Sequence, residues 1–416
     1  MSDMPLLNLP DDWKVVDIPD LSALQAAAEH ALHDINAFLI ITKNDPQAIA
    51  AQLDSFAEIL RAAVEVEGSH QEKVIRLALD LESYYWLNHG KVDAWVKLLV
   101  PMITHTLNQD LPDLRSRLFQ SWGVYIYLTQ SGQKPDASQN AFEAALDYAA
   151  DSNRPDIRLL AEVEHLNLDS HDPRYFEPVK ERAEALLKKA HELKYAYAQG
   201  RVYLSLANAY RAAGIFDPVF DYAQQALAIF AQSQHYGLAG QAVLYLLPQA
   251  KDGSQYRQNL LVYLNDLLEH SGNALLQSSV YQSRACQLYK QKNYAAARVE
   301  VLQSYTMDRI NHYQGNQASN RHMLGLIQTE LHHWTTARQH LNAALALYWD
   351  RNDQSQIVNL QHALAYIALA QKKYSQAYKE LSRVLDLARA LPSSRWRNTI
   401  ITMIEEDIEK ARLGMA

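Results

Sequence analysis

The chain has 416 residues, 48% of them hydrophobic, and carries 39 basic against 47 acidic side chains for a formal charge of −8. That balance argues against a nucleic-acid phosphate backbone as the main partner. The single cysteine, Cys286, excludes an internal disulfide and fits a reducing cytoplasm. Glycine and proline number only 13 each, which favours long helices joined by short turns over a strand-rich fold.

Residues Met1 to Asp20 are acidic and lack the charged-then-apolar pattern of a signal peptide. They read as a tail, strapped on through Trp13, Val15 and Ile18. Helical periodicity then predicts Ser22–Ile41, with Ser22 and Gln25 as a capping box, and Pro46–Glu65. Val74–Leu87, a stop at Gly90 and Val92–Leu107 form the next pair. Trp122-Gly123 followed by Ala141–Ala150 forms another. Runs such as Leu98–Ile103 are far shorter than the roughly 18 apolar residues of a membrane span. No membrane partner is therefore expected.

From here an aromatic ladder takes over: Phe176, Phe216, Tyr256, Tyr294, Trp334 and Tyr374, in steps of 40, 40, 38, 40 and 40 residues. A fixed period of this size marks a repeat array. Nine residues before the aromatic stand small residues in several units, among them Ala207, Gly325 and Ala365. Ten residues after it, Ala226 and Ala344 leave room for the next unit. Small residues let paired helices approach closely, and the aromatic at the start of the second helix is expected to fill the wedge between the pair. Gly214-Ile215-Phe216-Asp217-Pro218 ends one helix and opens the next. Lys292-Asn293-Tyr294 and Lys372-Lys373-Tyr374 serve the same junction. The Tyr256 unit is irregular, because Asn259 and Asp266 replace small residues.

These residues resemble the tetratricopeptide repeat. Leu206-Ala207-Asn208-Ala209-Tyr210 with Gly214, Phe216, Ala223 and Ala226 carries the likeness, as do Leu324-Gly325, Trp334, Ala337 and Ala344, and Leu364-Ala365, Tyr374 and Ala377. The 40-residue period resembles the extended variety in bacterial signalling regulators and some adaptors. The resemblance implies an all-α, right-handed α-α superhelix of about eight or nine helix pairs. It divides into a tail (1–20), atypical N-terminal helical repeats (21–110), the repeat array (111–391) and a polar C-terminal capping helix (392–416, chiefly Trp396–Leu413).

In that family the first helix of each pair lines a concave groove. The groove positions would lie 15, 12, 8 and 5 residues before each aromatic, on one helical face. Arg201, Asn208, Arg211 and Lys251 would then form a cationic subsite suited to a carboxylate or an acidic partner. Leu204 occupies a place where a cation would be expected. Gln282, His322 and His362 stand at equivalent positions in successive repeats. They read either as a pH- or anion-sensing row or as a repeated neutral polar residue. Tyr289, Asn359 and Tyr366 complete the candidate lining, and each tyrosine also suits packing.

The pairs His30/His33-Asp34 and His332-His333 lack a third ligand at metal-site spacing. No P-loop, HExxH or GxSxG motif is present, and Cys286 has no base nearby in sequence. Neither cofactor, metal nor catalysis is therefore expected. The sequence points to a cytoplasmic, non-enzymatic scaffold for a protein or peptide partner. The second reading is a ligand-responsive regulator acting through a partner. An open solenoid end can also stack on a second copy, so a homo-oligomer is allowed.

Overall fold

A computed structural model describes residues 21–42, 45–87, 92–107, 109–130, 135–233, 235–251, 254–271, 273–350, 353–391 and 395–415. The expected tail strap and the stop at Gly90 lie outside them. Within them run nineteen α-helices and no strand. Nine antiparallel pairs stack in order. They are α1 (Leu21–Ile41) with α2 (Pro46–Glu65), α3 (Gln71–Leu87) with α4 (Val92–Thr106), α5 (Pro112–Gln130) with α6 (Pro135–Asp151), and α7 (Pro155–Asp169) with α8 (Phe176–Glu192). Then come α9 (Ala196–Ala212) with α10 (Asp217–Gln232), α11 (Tyr236–Leu246) with α12 (Gln255–Ser271), and α13 (Ala274–Lys290) with α14 (Tyr294–Ile310). The last pairs are α15 (Gln314–Glu330) with α16 (Trp334–Asp350) and α17 (Gln354–Ala370) with α18 (Tyr374–Ala390). Helix α19 (Arg395–Met415) closes the stack. This is the all-α superhelix the sequence predicts.

The 40-residue period has a direct cause. From α13 to α18 every helix is 17 residues long, and three-residue turns separate them. Among the described turns a left-handed residue recurs: Lys194, Lys292, His312, His332 and Lys372 have φ between 51° and 61°, and Gly214 has 74°. The Lys373 amide donates to the Ala368 carbonyl and the Lys372 amide to Leu369, both at 2.9 Å. That 6→1 and 5→2 pair satisfies orphan carbonyls at the helix end. Asn293 starts the next helix by accepting from the Ala296 amide at 3.4 Å. Asp353 does the same for Gln356 at 3.1 Å.

Each helix buries one stripe. In α18 the buried residues are Ala377, Leu381, Val384, Leu385 and Ala388, the spacing of a helical face. The core is accordingly a series of clusters following the chain rather than one globule. The small-residue positions behave as expected: Ala207, Ala226 and Ala344 are fully buried. A Cβ on Gly325 would sit 2.5 Å from the Leu341 side chain, so α15 and α16 meet there without room for a methyl group.

The ladder aromatics fill the wedge within a pair only in part: Tyr294 meets Tyr289 of its own pair edge-on at 5.4 Å, whereas two others lie open. Phe216 is 43% exposed and Tyr256 40%. Several instead bridge to the next pair along one rim. Phe176 stands edge-on to Tyr210 of α9 at 5.0 Å, the Tyr294 hydroxyl donates to Glu330 of α15 at 3.1 Å, and Tyr374 lies over Gly414 of α19. The irregular Tyr256 unit has a sharper cause than Asn259 and Asp266. Pro248 ends α11 after 11 residues, converting its last turn to a short 3-10 segment, Leu247–Gln249. At the start of the chain, the Gln25 amide reaches the Glu67 carbonyl at 2.6 Å, tying α1 to the chain just beyond α2.

Candidate functional site

The superhelix curls far enough for α15 to touch α5. Beside that contact His312 comes within 3.6 Å of Asp93 on α4. The first helices of successive pairs, together with α6, thereby wall a channel of about 3390 Å³. Positions 15 and 12 before the ladder aromatic face it in four consecutive repeats: Arg201 and Leu204, Gln241 and Leu244, Ser279 and Gln282, Ser319 and His322. Position 8 does so at Leu168, Cys286 and Leu326, and position 5 at His171 and Arg211.

Of the ten side chains the sequence singles out, Arg201, Arg211, Gln282 and His322 line the channel. They do not form a free cationic subsite. The Arg201 guanidinium grips Glu164 of α7 through Nε at 2.9 Å and Nη2 at 2.5 Å. The Tyr197 hydroxyl donates to the same carboxylate at 3.3 Å, and both ions are buried. Burial alone would lower the arginine pKa; the adjacent Glu164 charge outweighs it and raises the pKa. Arg201 is therefore held charged and neutralised.

Asn208 is buried between repeats, donating to Ser170 at 3.1 Å and accepting from Tyr245 at 3.0 Å and from Arg211 at 2.7 Å. Arg211 also lies over the Tyr245 ring at 5.6 Å. It makes no ion pair among the described residues, so it is a positioned cation at the channel wall. Lys251 is exposed beyond the Pro248 break, outside the lining.

In the later repeats Gln282 donates to Ser319 at 2.7 Å, linking α13 to α15. Burial draws the His322 pKa down to about 4, so at neutral pH its imidazole is an uncharged donor and acceptor. The row ends there. His362 is buried and shares a 3.0 Å hydrogen bond with Asp407 of α19, and Tyr366 packs against the same terminal cluster. Burial opposes ionisation of Asp407, but the His362 hydrogen bond and the Lys410 ammonium at 2.7 Å outweigh it and lower its pKa. Helix α19 thus covers the face of α17 that would continue the groove. Asn359 bonds Gln356 at 3.4 Å, and Tyr289 packs edge-on against Tyr294 at 5.4 Å; neither lines the channel.

Sequence reasoning missed three carboxylates of the lining, Asp136 and Glu143 of α6 and Glu164 of α7. Glu164 stands 12 residues before Phe176, a position the ladder already marks as inward, whereas no aromatic marks the register of α6. Among the described residues no three His, Cys, Asp or Glu side chains are grouped to hold a metal, and no described helix is long and apolar enough to cross a membrane.

No protein-family model and no curated protein sequence matches this chain. Among solved structures, a Rap protein complexed with competence and sporulation factor superposes with a TM-score of 0.50 at 12% identity, covering 82% of this chain and 100% of that one. The fold is that of a tetratricopeptide-repeat solenoid. A signal transduction ATPase with a tetratricopeptide repeat sensor from Pyrococcus horikoshii gives a TM-score of 0.46 at 10% identity, over 95% of this chain and 72% of that one. The Cut9-Hcn1 hetero-tetramer of APC/C gives 0.31 at 14% identity, over 94% and 83%. In this tetratricopeptide-repeat solenoid the α5–α15 contact joins distant turns across the groove.

Proposed function

We propose that this chain works by binding and not by catalysis, taking an extended peptide or partner segment into its channel. The observation that carries the reading is the repeated inward register. Four consecutive repeats present the same two positions to one space of about 3390 Å³, with polar and apolar side chains mixed as binding sites require. The similar Rap protein was solved with competence and sporulation factor bound, which supports a partner-binding role for this scaffold. Burial raises the pKa of the Cys286 thiol, a poor setting for a nucleophile. A cytoplasmic location, suggested by that unpaired cysteine, belongs to the same proposal.

The α5–α15 contact favours a second element, that of a responsive regulator. A groove bridged by a contact between distant repeats couples its occupancy to its shape wherever an occupant fits better with that contact open.

Cys286 supplies the test. It is the chain's one cysteine and lines the channel on α13. In the complex purified with its native partner, alkylation by N-ethylmaleimide should slow at least about tenfold relative to the free chain, since access to the thiolate sets the rate. Equal rates in free and bound protein would place the partner outside the channel.

A further inference from the structure

The charge of the channel wall is lopsided, and it selects an occupant. Ten carboxylates and four arginines line the space, with no lysine. Five of these carboxylates are already matched: Glu164 by Arg201 at 2.5 Å, Asp172 by Arg174 at 2.5 Å, Asp80 by Arg117 at 3.9 Å, Asp169 by Arg182 at 2.5 Å and Glu177 by Lys180 at 3.1 Å. On α6 the situation differs. Asp136 and Glu143 face the channel two helical turns apart, with Gln139 between them. Both are exposed, and neither makes an ion pair among the described residues; Glu143 accepts only from Gln139 at 3.1 Å.

The wall supplied by α13 and α15 is uncharged. Ser279, Gln282, Ser283, Asn316, Ser319 and His322 present hydroxyl, amide and imidazole groups. One side of the channel therefore offers hydrogen bonds to a backbone and the other offers negative charge. The low-dielectric walls of a cleft focus such a field.

Resting on the binding reading above, we propose that the channel takes an extended peptide carrying two cationic side chains three residues apart, with Asp136 and Glu143 receiving them. Seven residues of helix separate the two carboxylates by about 10 Å. Three residues of polyproline-II-like chain span roughly 9 Å, so lysine or arginine at that interval matches the spacing. The channel itself makes the site, and the carboxylates choose what enters. An acidic partner, the expectation built on Arg201 and Arg211, meets only Arg211 as an unmatched cation.

The test uses the full chain and three pools of peptides about ten residues long, which reach roughly 33 Å when extended. The pools are random except at two positions three apart, fixed as lysine or arginine, as glutamine, or as glutamate. Retention of the chain on each immobilised pool is measured beside the Asp136→Asn/Glu143→Gln double variant. Both side chains are exposed, and circular dichroism confirms that the variant folds. The expected result is preferential binding to the cationic pool, weakened about five- to tenfold in the double variant and weakened by added salt. Equal or better binding of the glutamine or glutamate pool overturns the charge selection while leaving peptide binding intact. Cationic binding unchanged in the variant overturns the role of α6. Binding of no pool overturns this inference and peptide binding together.

Discussion

Replacing Arg201 with alanine separates a structural arginine from a ligand-binding one. Its guanidinium makes two hydrogen bonds to Glu164, at 2.9 and 2.5 Å, and both side chains are only 11% exposed. Removing the cation leaves a buried carboxylate held by the Tyr197 hydroxyl at 3.3 Å. Breaking such a pair costs about 3–5 kcal/mol, whereas replacing both members with apolar residues of similar volume is nearly neutral or stabilising. Arg201→Ala should therefore destabilise strongly, and Arg201→Met/Glu164→Leu should return to within about 1 kcal/mol of the parent. Because solenoid repeats contact only their neighbours, the loss concentrates where α7 meets α9. Native-state hydrogen exchange resolves it there, with amides of both helices losing protection in the single variant and regaining it in the double one. An Arg201→Ala protein that keeps full protection in α7 and α9 yet loses partner binding would refute this reasoning, and would restore Arg201 as an open anchor.

Two further predictions concern stability. Asp308 is fully buried; burial pushes its pKa up to about 6 despite hydrogen bonds from Ser278 at 2.6 Å and Asn320 at 2.7 Å. A carboxyl with a raised folded pKa supports the fold while protonated and loses that support as pH climbs through about 6. Asp308→Asn should gain on the parent by a few kcal/mol between about pH 4 and pH 7, read from denaturant midpoints. A gap that does not change over that range contradicts the assignment. At the α17–α18 turn, Lys372 adopts φ 60°, a conformation costing a residue with a side chain roughly 1–2 kcal/mol. Lys372→Gly should raise stability by about 0.5–1 kcal/mol after its greater unfolded-state freedom is counted; a lower melting temperature would argue that the lysine stabilises the helix end through its charge.

What could be read in the sequence divides along a physical line. The period, the turns and the close-approach residues are local. Seventeen-residue helices and three-residue turns place an aromatic every 40 residues, and that spacing indexes the inward positions Leu204, Gln241, Ser279 and His322. Local reasoning also flagged the Tyr256 unit, although Pro248 rather than Asn259 or Asp266 breaks it. The failures are pairings across repeats. Arg201 meets Glu164 37 residues earlier, and His362 meets Asp407 45 residues later. Neither is visible from spacing within one unit, because each depends on how neighbouring pairs dock. The unmatched carboxylates of α6 lie where no aromatic marks the register.

The claim that the channel is the binding site is tested most directly by filling it. Ser279 and Ser283 line it one turn apart on α13, whereas Val299 on α14 is 57% exposed and lies outside it. Partners retained by the full chain from its native host, identified by mass spectrometry, should disappear from the Ser279→Trp/Ser283→Trp variant and persist with Val299→Arg, both variants remaining folded. Retention by the filled channel together with loss at Val299→Arg would contradict the account and move the binding surface to the outside of the superhelix.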